Sequence, residues 1–272
     1  MKRLLLVELL LLLLLGSLHA TTGNTIAKRD PVPLNEDSYP EPKYFKEAYR
    51  HAHYDARYMR EPLEQDIHRQ VIRHLIQTYL ATFAELGVQT WLMHGSLLGW
   101  WWGKKVMPWD LDADVQVTEA DMYFLAAYYN MTVYYYQYGD MQPGRYFLLD
   151  INPHFRHRQD DDLLNLIDAR WIDMATGLFI DITAARYALE HHAGDGMLYD
   201  KNSHQYRDTY VYPLRNTTFE NVPAKIPFRY KEMLESEYGK KALTNTHFHK
   251  HVFDQDRMQW VREPEQEEAM HD

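Results

Sequence analysis

The sequence predicts a mixed α/β (α+β) domain, and three observations carry that reading. One long segment places apolar residues at helical spacing, several short segments read as strands, and the two kinds are mixed along the chain. Hydrophobic residues make up 46% of the 272, which is enough to fill a core and excludes a disordered chain.

The elements follow in order. Ile67, Val71, Ile72, Leu75, Ile76, Tyr79, Leu80 and Phe83 recur with a helical period, so residues 62–86 form a helix that Gly87 stops. Residues 89–93 read as a short buried strand. Gly95-Ser96 then turns the chain and residues 97–102 open a second helix. Residues 112–117 alternate Asp, Ala, Asp, Val, Gln, Val, a strand with carboxylates on one face. Thr118, with Asp121 three positions on, is the N-cap of a helix reaching about Tyr129. Residues 134–138, 146–151, 165–172 and 178–183 are further strands, the last two joined by a turn at Ala175-Thr176-Gly177. Beyond Arg186 the pattern yields one clear element, a helix over Tyr230–Tyr238 ended by Gly239.

Lys2 and Arg3 precede an apolar run over 4–15 and a small-residue stretch ending at Ala20, so residues 1–20 read as a secretory signal peptide. The run is shorter than the ~20 residues that span a bilayer, and Glu8 interrupts it, so cleavage is expected; the alternative is a signal anchor that attaches the chain to a membrane. Residues 21–60 are expected as a flexible stem or propeptide, 61–260 as the folded domain and 261–272 as an acidic tail. Asn130-Met131-Thr132 and Asn216-Thr217-Thr218 are glycosylation sequons, in keeping with a secretory route. With no cysteine, neither a disulfide nor a thiolate nucleophile is available. The formal net charge of −10 argues against nucleic acid as a partner.

The chemistry concentrates in HGSLLGWWWGKKVMPWDLDADVQV, from position 94. Asp110, Asp112 and Asp114 alternate, and carboxylates gathered on one strand face repel unless cations neutralise them. Hard divalent ions with oxygen ligands, Mn²⁺ or Mg²⁺, suit such a site. A Gly-Ser turn opening a helix presents backbone N–H groups to anions. Together these describe a place for phosphate chemistry. A solvated acidic edge strand, or the D-x-D of sugar-nucleotide glycosyltransferases, would account for the aspartates alone. A calcium loop would need Gly and Glu where Val115 and Asp121 stand. His247, His249 and His251 alternate without an evident acidic companion.

Gly95-Ser96, thirteen residues, then Asp110-Leu111-Asp112 resembles the nucleotidyltransferase-fold pattern of apolar strand, Gly-Ser or Gly-Gly, spacer and D-h-D. More widely, GSLLG and PWDLDAD, with NLIDARWIDMATGLFIDIT and the stretch from PLRNTTF to KKAL, resemble the LicD/fukutin family, and MPWDLDADVQV looks most like its fungal branch. The likeness covers about 90–245. It implies a nucleotidyltransferase-like fold, with a mixed central sheet flanked by helices. It also implies a metal-dependent transfer, within the secretory pathway, of a phospho-linked group from a nucleotide-activated donor to a glycan hydroxyl. For the fungal branch the donor would be GDP-mannose, the product a mannosylphosphate diester and the compartment the Golgi lumen, with secretion as the alternative.

On that resemblance Asp110, Asp112, Asp114 and Asp181 are the catalytic and metal-ligating carboxylates. Gly95, Ser96, Lys104 and Lys105 are the donor-phosphate contacts. From its place between Asp168 and Asp173, Arg170 either binds donor phosphate or pairs structurally, and Trp102 and Trp109 are stacking platforms for sugar or base unless they pack in the core. Bacterial relatives carry an arginine where Trp102 stands, and Lys104 and Lys105 are the nearby replacements for its phosphate contact. The competing expectation is a non-catalytic lumenal accessory or regulator of the same modification.

Overall fold

The computed structural model describes residues 42–137, 139–158 and 162–263. The expected signal segment, the first part of the stem and most of the acidic tail lie outside the described residues, as does Tyr138 of one expected strand.

A small antiparallel hairpin, β1 (Glu47–Ala48) and β2 (His51–Asp55), comes first. Helix α1 (Gln65–Glu85) follows, then β3 (Thr90–Leu92), α2 (His94–Gly103), β4 (Ala113–Thr118) and α3 (Glu119–Tyr128). Strands β5 (Thr132–Tyr136), β6 (Arg145–Ile151), β7 (Ala169–Asp173) and β8 (Phe179–Tyr187) form an antiparallel run. Strand β4 joins it parallel to β8 and carries β3 antiparallel on its other side, while β9 (Met197–Tyr199) and β10 (Gln205–Arg207) continue from the end of β8. Among the described residues this makes one mixed sheet of eight strands. The short helix α4 (Asp208–Val211), the hairpin β11 (Arg215–Phe219) and β12 (Val222–Ile226), helix α5 (Tyr230–Tyr238) and the three-stranded sheet β13 (His247–Phe248), β14 (His251–Asp254) and β15 (Gln259–Arg262) complete it.

Helix α1 lies across β7 and β8 because one of its stripes is apolar from end to end. Val71, Ile72, Leu75, Ile76, Tyr79, Leu80 and Phe83 are buried as expected, but Ile67 is 46% exposed. The buried stripe enters the first turn through His68, which places Ile67 on the solvent side. Polar residues within the stripe are satisfied internally: Thr78 and Thr82 donate to carbonyls one turn back, and Trp171 Nε1 donates to Thr78 Oγ1. Phe147 stacks parallel to Trp171 beneath them. Thr118 caps α3, its hydroxyl accepting the Asp121 N–H, and Gly87 sits at φ +71 where α1 stops.

Three sequence expectations need correction. Residues 42–60 are not stem, because Phe45 and Tyr54 are buried and Asp55 N–H donates to the Gly177 carbonyl, so this stretch packs on the domain. Strand β7 starts at Ala169 rather than 165. Before it, Asn165 spends its side chain on Pro42 and Asp162, and that local bonding diverts the backbone from the ladder. Finally, Val261 and Arg262 finish β15 instead of beginning a tail.

Candidate metal and phosphate centre

The parallel pairing of β4 with β8 sets Asp114 directly beside Asp181. Asp112, two residues before Asp114, shares its face by strand alternation. Ligand oxygens of Asp112, Asp114 and Asp181 lie within 4.8 Å of one another, and Asp112 and Asp181 are buried. A set made only of carboxylate oxygens at this spacing fits a hard divalent cation.

The Gly-Ser pair has a different role from the one its motif implies. Both residues fall in the first turn of α2. Ser96 is buried, and its Oγ accepts the Asp114 N–H at 2.9 Å, so the hydroxyl anchors the acidic strand rather than offering itself to a ligand. Gly95 allows a close approach, since a Cβ there would stand 2.6 Å from Asp110 Oδ2. Gly99, one turn on, likewise admits the Lys105 carbonyl, where a Cβ would be at 2.5 Å. The glycine face of α2 thus lets segment 104–110 fold back and seat Asp110 at the mouth of the site. Asp110 stands outside the converging trio and borders two neighbouring hollows.

Behind the trio lies a brace. His53, from β2, places Nδ1 3.1 Å from Asp112 Oδ2. Burial, with His53 adding to it, lowers the pKa of neighbouring His68 against the pull of Asp112. Arg170 is 2% exposed; its Nε donates to Asp181 Oδ1 at 2.9 Å and its Nη2 to Glu47 Oε1 at 3.2 Å, with the guanidinium between the rings of Phe45 and Phe179. The expectation that Arg170 meets a donor phosphate is therefore corrected. It is enclosed, and it orients a carboxylate of the trio. The register sets this contact up, because Arg170 stands opposite Asp181 in the β7–β8 ladder.

Lys104 and Lys105 are exposed at the end of α2. Lys105 lines the second hollow, with Arg69, Arg73 and Asp110, whereas Lys104 lines neither.

The first hollow encloses about 150 Å³ beside Asp110, Asp112 and Asp114, and the indoles of Trp102, Trp109 and Trp260 stand in its wall. The three consecutive tryptophans diverge, with Trp100 Nε1 donating to Thr217 Oγ1, Trp101 Nε1 to Leu243 O and Trp102 Nε1 to Ala242 O. Trp102 is buried against Phe253 and Trp260 and reaches the hollow as part of its wall. Trp109 also lines it, with one neighbour, His249, nearly parallel to its ring. His247, His249 and His251 surround this corner of β13 and β14 and, among the described residues, belong to no ligand group. Tyr238 and Trp260 complete the wall from segments whose role was not legible. Asn130 and Asn216 are both exposed.

Two proteins of Saccharomyces cerevisiae are similar to this chain. Mannosyltransferase regulator 4 is 35% identical over 112 residues, and Mannosyltransferase regulator 14 is 32% identical over 113. Each match covers 41% of this chain, but only 9% and 12% of those relatives, so the chain spans about a tenth of their length. The model of the LicD/FKTN/FKRP nucleotidyltransferase domain matches residues 87–229. That span holds Gly95, the acidic trio and Arg170, and it excludes the β1–β2 hairpin and α5. A match over more than half of the chain, on a mixed sheet that brings its acidic motif together, makes this protein a member of the LicD family.

Proposed function

We propose that this chain is a metal-dependent phosphotransferase of the secretory pathway. It moves mannose 1-phosphate from GDP-mannose to a glycan hydroxyl in the Golgi lumen. The observation that carries the reading is the convergence of Asp112, Asp114 and Asp181 beside an indole-lined hollow. Mn²⁺ or Mg²⁺ held by the trio would neutralise charge on the donor diphosphate. The backbone N–H groups opening α2 face anions by their position at a helix start. Trp102, Trp109 and Trp260 give the sugar or base an apolar wall. Asp110, at the mouth, takes the proton of the acceptor hydroxyl. The acceptor oxygen bonds to the phosphorus that bears mannose, the bond from that phosphorus to the bridging oxygen breaks, and GMP leaves with the electron pair. The exposed sequons at Asn130 and Asn216 carry glycans on this reading.

Incubating the purified chain with Mn²⁺, GDP-mannose and a mannose oligosaccharide tests this. GMP release, with a mannosylphosphate diester on the oligosaccharide, is expected. A panel of nucleotide-sugars left intact by wild type and Asp112→Ala alike would sink the proposal.

Both relatives are named as mannosyltransferase regulators, which favours a second reading, a lumenal regulator that keeps the fold without turnover. Calorimetry with GDP-mannose, with and without Mn²⁺, separates the two, because a regulator has no need of metal-dependent donor binding.

A further inference from the structure

We propose that the chain carries a second cation site, for a transition-metal ion of the zinc type, built from His94, His204 and Glu237 and braced by Asp200. Three separate elements bring the ligands together: His94 opens α2, His204 closes the turn between β9 and β10, and Glu237 lies in the last turn of α5. One ligand atom from each lies within 4.8 Å of the others.

The arrangement around them is that of a supported metal site. Asp200 is buried and lies 2.9 Å from His204 Nδ1, an arrangement that leaves Nε2 of that imidazole for the ion. Asp200 is itself fixed by Gln116 Nε2 at 3.0 Å and by the N–H groups of Asn202 and His204, and Gln116 Oε1 accepts from the Tyr206 hydroxyl. The His94 ring lies 4.3 Å from that of His204, and its Nδ1 is 2.7 Å from Glu237 Oε1. Asp200 and Asp168 show how the fold treats two buried carboxylates differently. Asp168 faces arginine and lysine, whereas Asp200 and Glu237 face imidazoles.

Charge points the same way. Two carboxylates against two imidazoles in a half-buried niche make a site that a dication satisfies. The donor type sets the preference: imidazole nitrogens favour zinc, copper or nickel, while the oxygen-only trio favours magnesium or manganese. The site does not depend on the transferase reading.

The test is metal binding by the purified full chain after chelator treatment. Co²⁺ serves as a visible probe and Zn²⁺ as the competitor. Wild type is expected to bind Co²⁺ with d–d absorption bands that Zn²⁺ abolishes. His204→Gln should weaken Zn²⁺ binding at least 100-fold. Asp200→Asn, which keeps the ligands and loses the brace, should weaken it about 10–100-fold. Asp112→Asn should leave these bands unchanged, which separates this site from the aspartate trio. Wild type with an unchanged circular dichroism spectrum and no cobalt bands, or bands lost in Asp112→Asn and kept in His204→Gln, would overturn the proposal in favour of an ion-free imidazole–carboxylate network.

Discussion

Strand β8 handles buried negative charge near both of its ends. Toward its end, Asp168 accepts Arg186 Nη2 at 2.8 Å, Arg186 Nη1 at 3.0 Å, Lys201 Nζ at 3.0 Å and the Ala184 N–H at 2.8 Å. Near its start, Asp181 joins Asp112 and Asp114 so that three carboxylates approach one another. A carboxylate surrounded by cations is a clamp that holds strands together. Carboxylates gathered against each other carry a repulsion that folding alone gives no reason to keep. Burial alone does not mark a functional aspartate; what it faces does.

The contrast is sharpest when one proton-sized change is made at each end. Asp114→Asn is expected to reduce metal-dependent GMP release about 10³-fold, with a melting temperature equal to or above wild type, because it removes repulsion as well as a ligand. Asp168→Asn should do the opposite. It leaves buried Arg186 and Lys201 poorly compensated, and urea unfolding should show a loss of about 3–5 kcal/mol. Similar stability losses for both variants would erase the distinction between the two ends.

A smaller effect is expected at the brace. His53→Ala removes the imidazole beside Asp112, and Mn²⁺ affinity measured by calorimetry should fall about 10–100-fold while the circular dichroism spectrum is retained. An unchanged affinity would make the hairpin a cover rather than a support.

Glu220 supplies a third kind of buried carboxylate and the smallest effect. Burial lifts its pKa above the ordinary 4.5, against the Val106 N–H and the charges of Lys105 and Arg73. Between 4.5 and the raised value the folded chain keeps a proton that the unfolded chain has released, so stability falls as pH rises through that window. Glu220→Gln keeps an acceptor for Val106 and should flatten this slope in melting temperature against pH. A slope unchanged by the substitution would assign it to another group.

Much of this was legible in the sequence. The period of α1, the cap at Thr118 and the alternation through Asp112 and Asp114 are local signals, and local signals placed those elements to within a few residues. The Gly-Ser-to-aspartate spacing, joined to the resemblance, also pointed to Asp181. What remained hidden depends on long-range pairing. His53 and Arg170 meet the trio, and Glu47 meets Arg170, only through the register of β7 with β8 and the docking of the hairpin. Ser96 and Arg170 looked like ligand contacts because their residue types suit anions, yet the fold turns both inward to hold other parts of the site. Phe248 and Trp260 reach the hollow from β13 and β15, where short strands and a histidine-rich turn leave no clear period.

The two flanks of the hollow have a consequence for how the protein comes into being. Asp112 and Asp114 leave the ribosome long before Tyr238, Phe248 and Trp260, which wall the same space. A nascent chain therefore displays its acidic strand with only the Trp102 and Trp109 part of that wall, and the compartment can form only when the β13–β15 sheet folds back against α2. Emergence of the β13–β15 sheet, rather than of the acidic motif, decides when the hollow first exists.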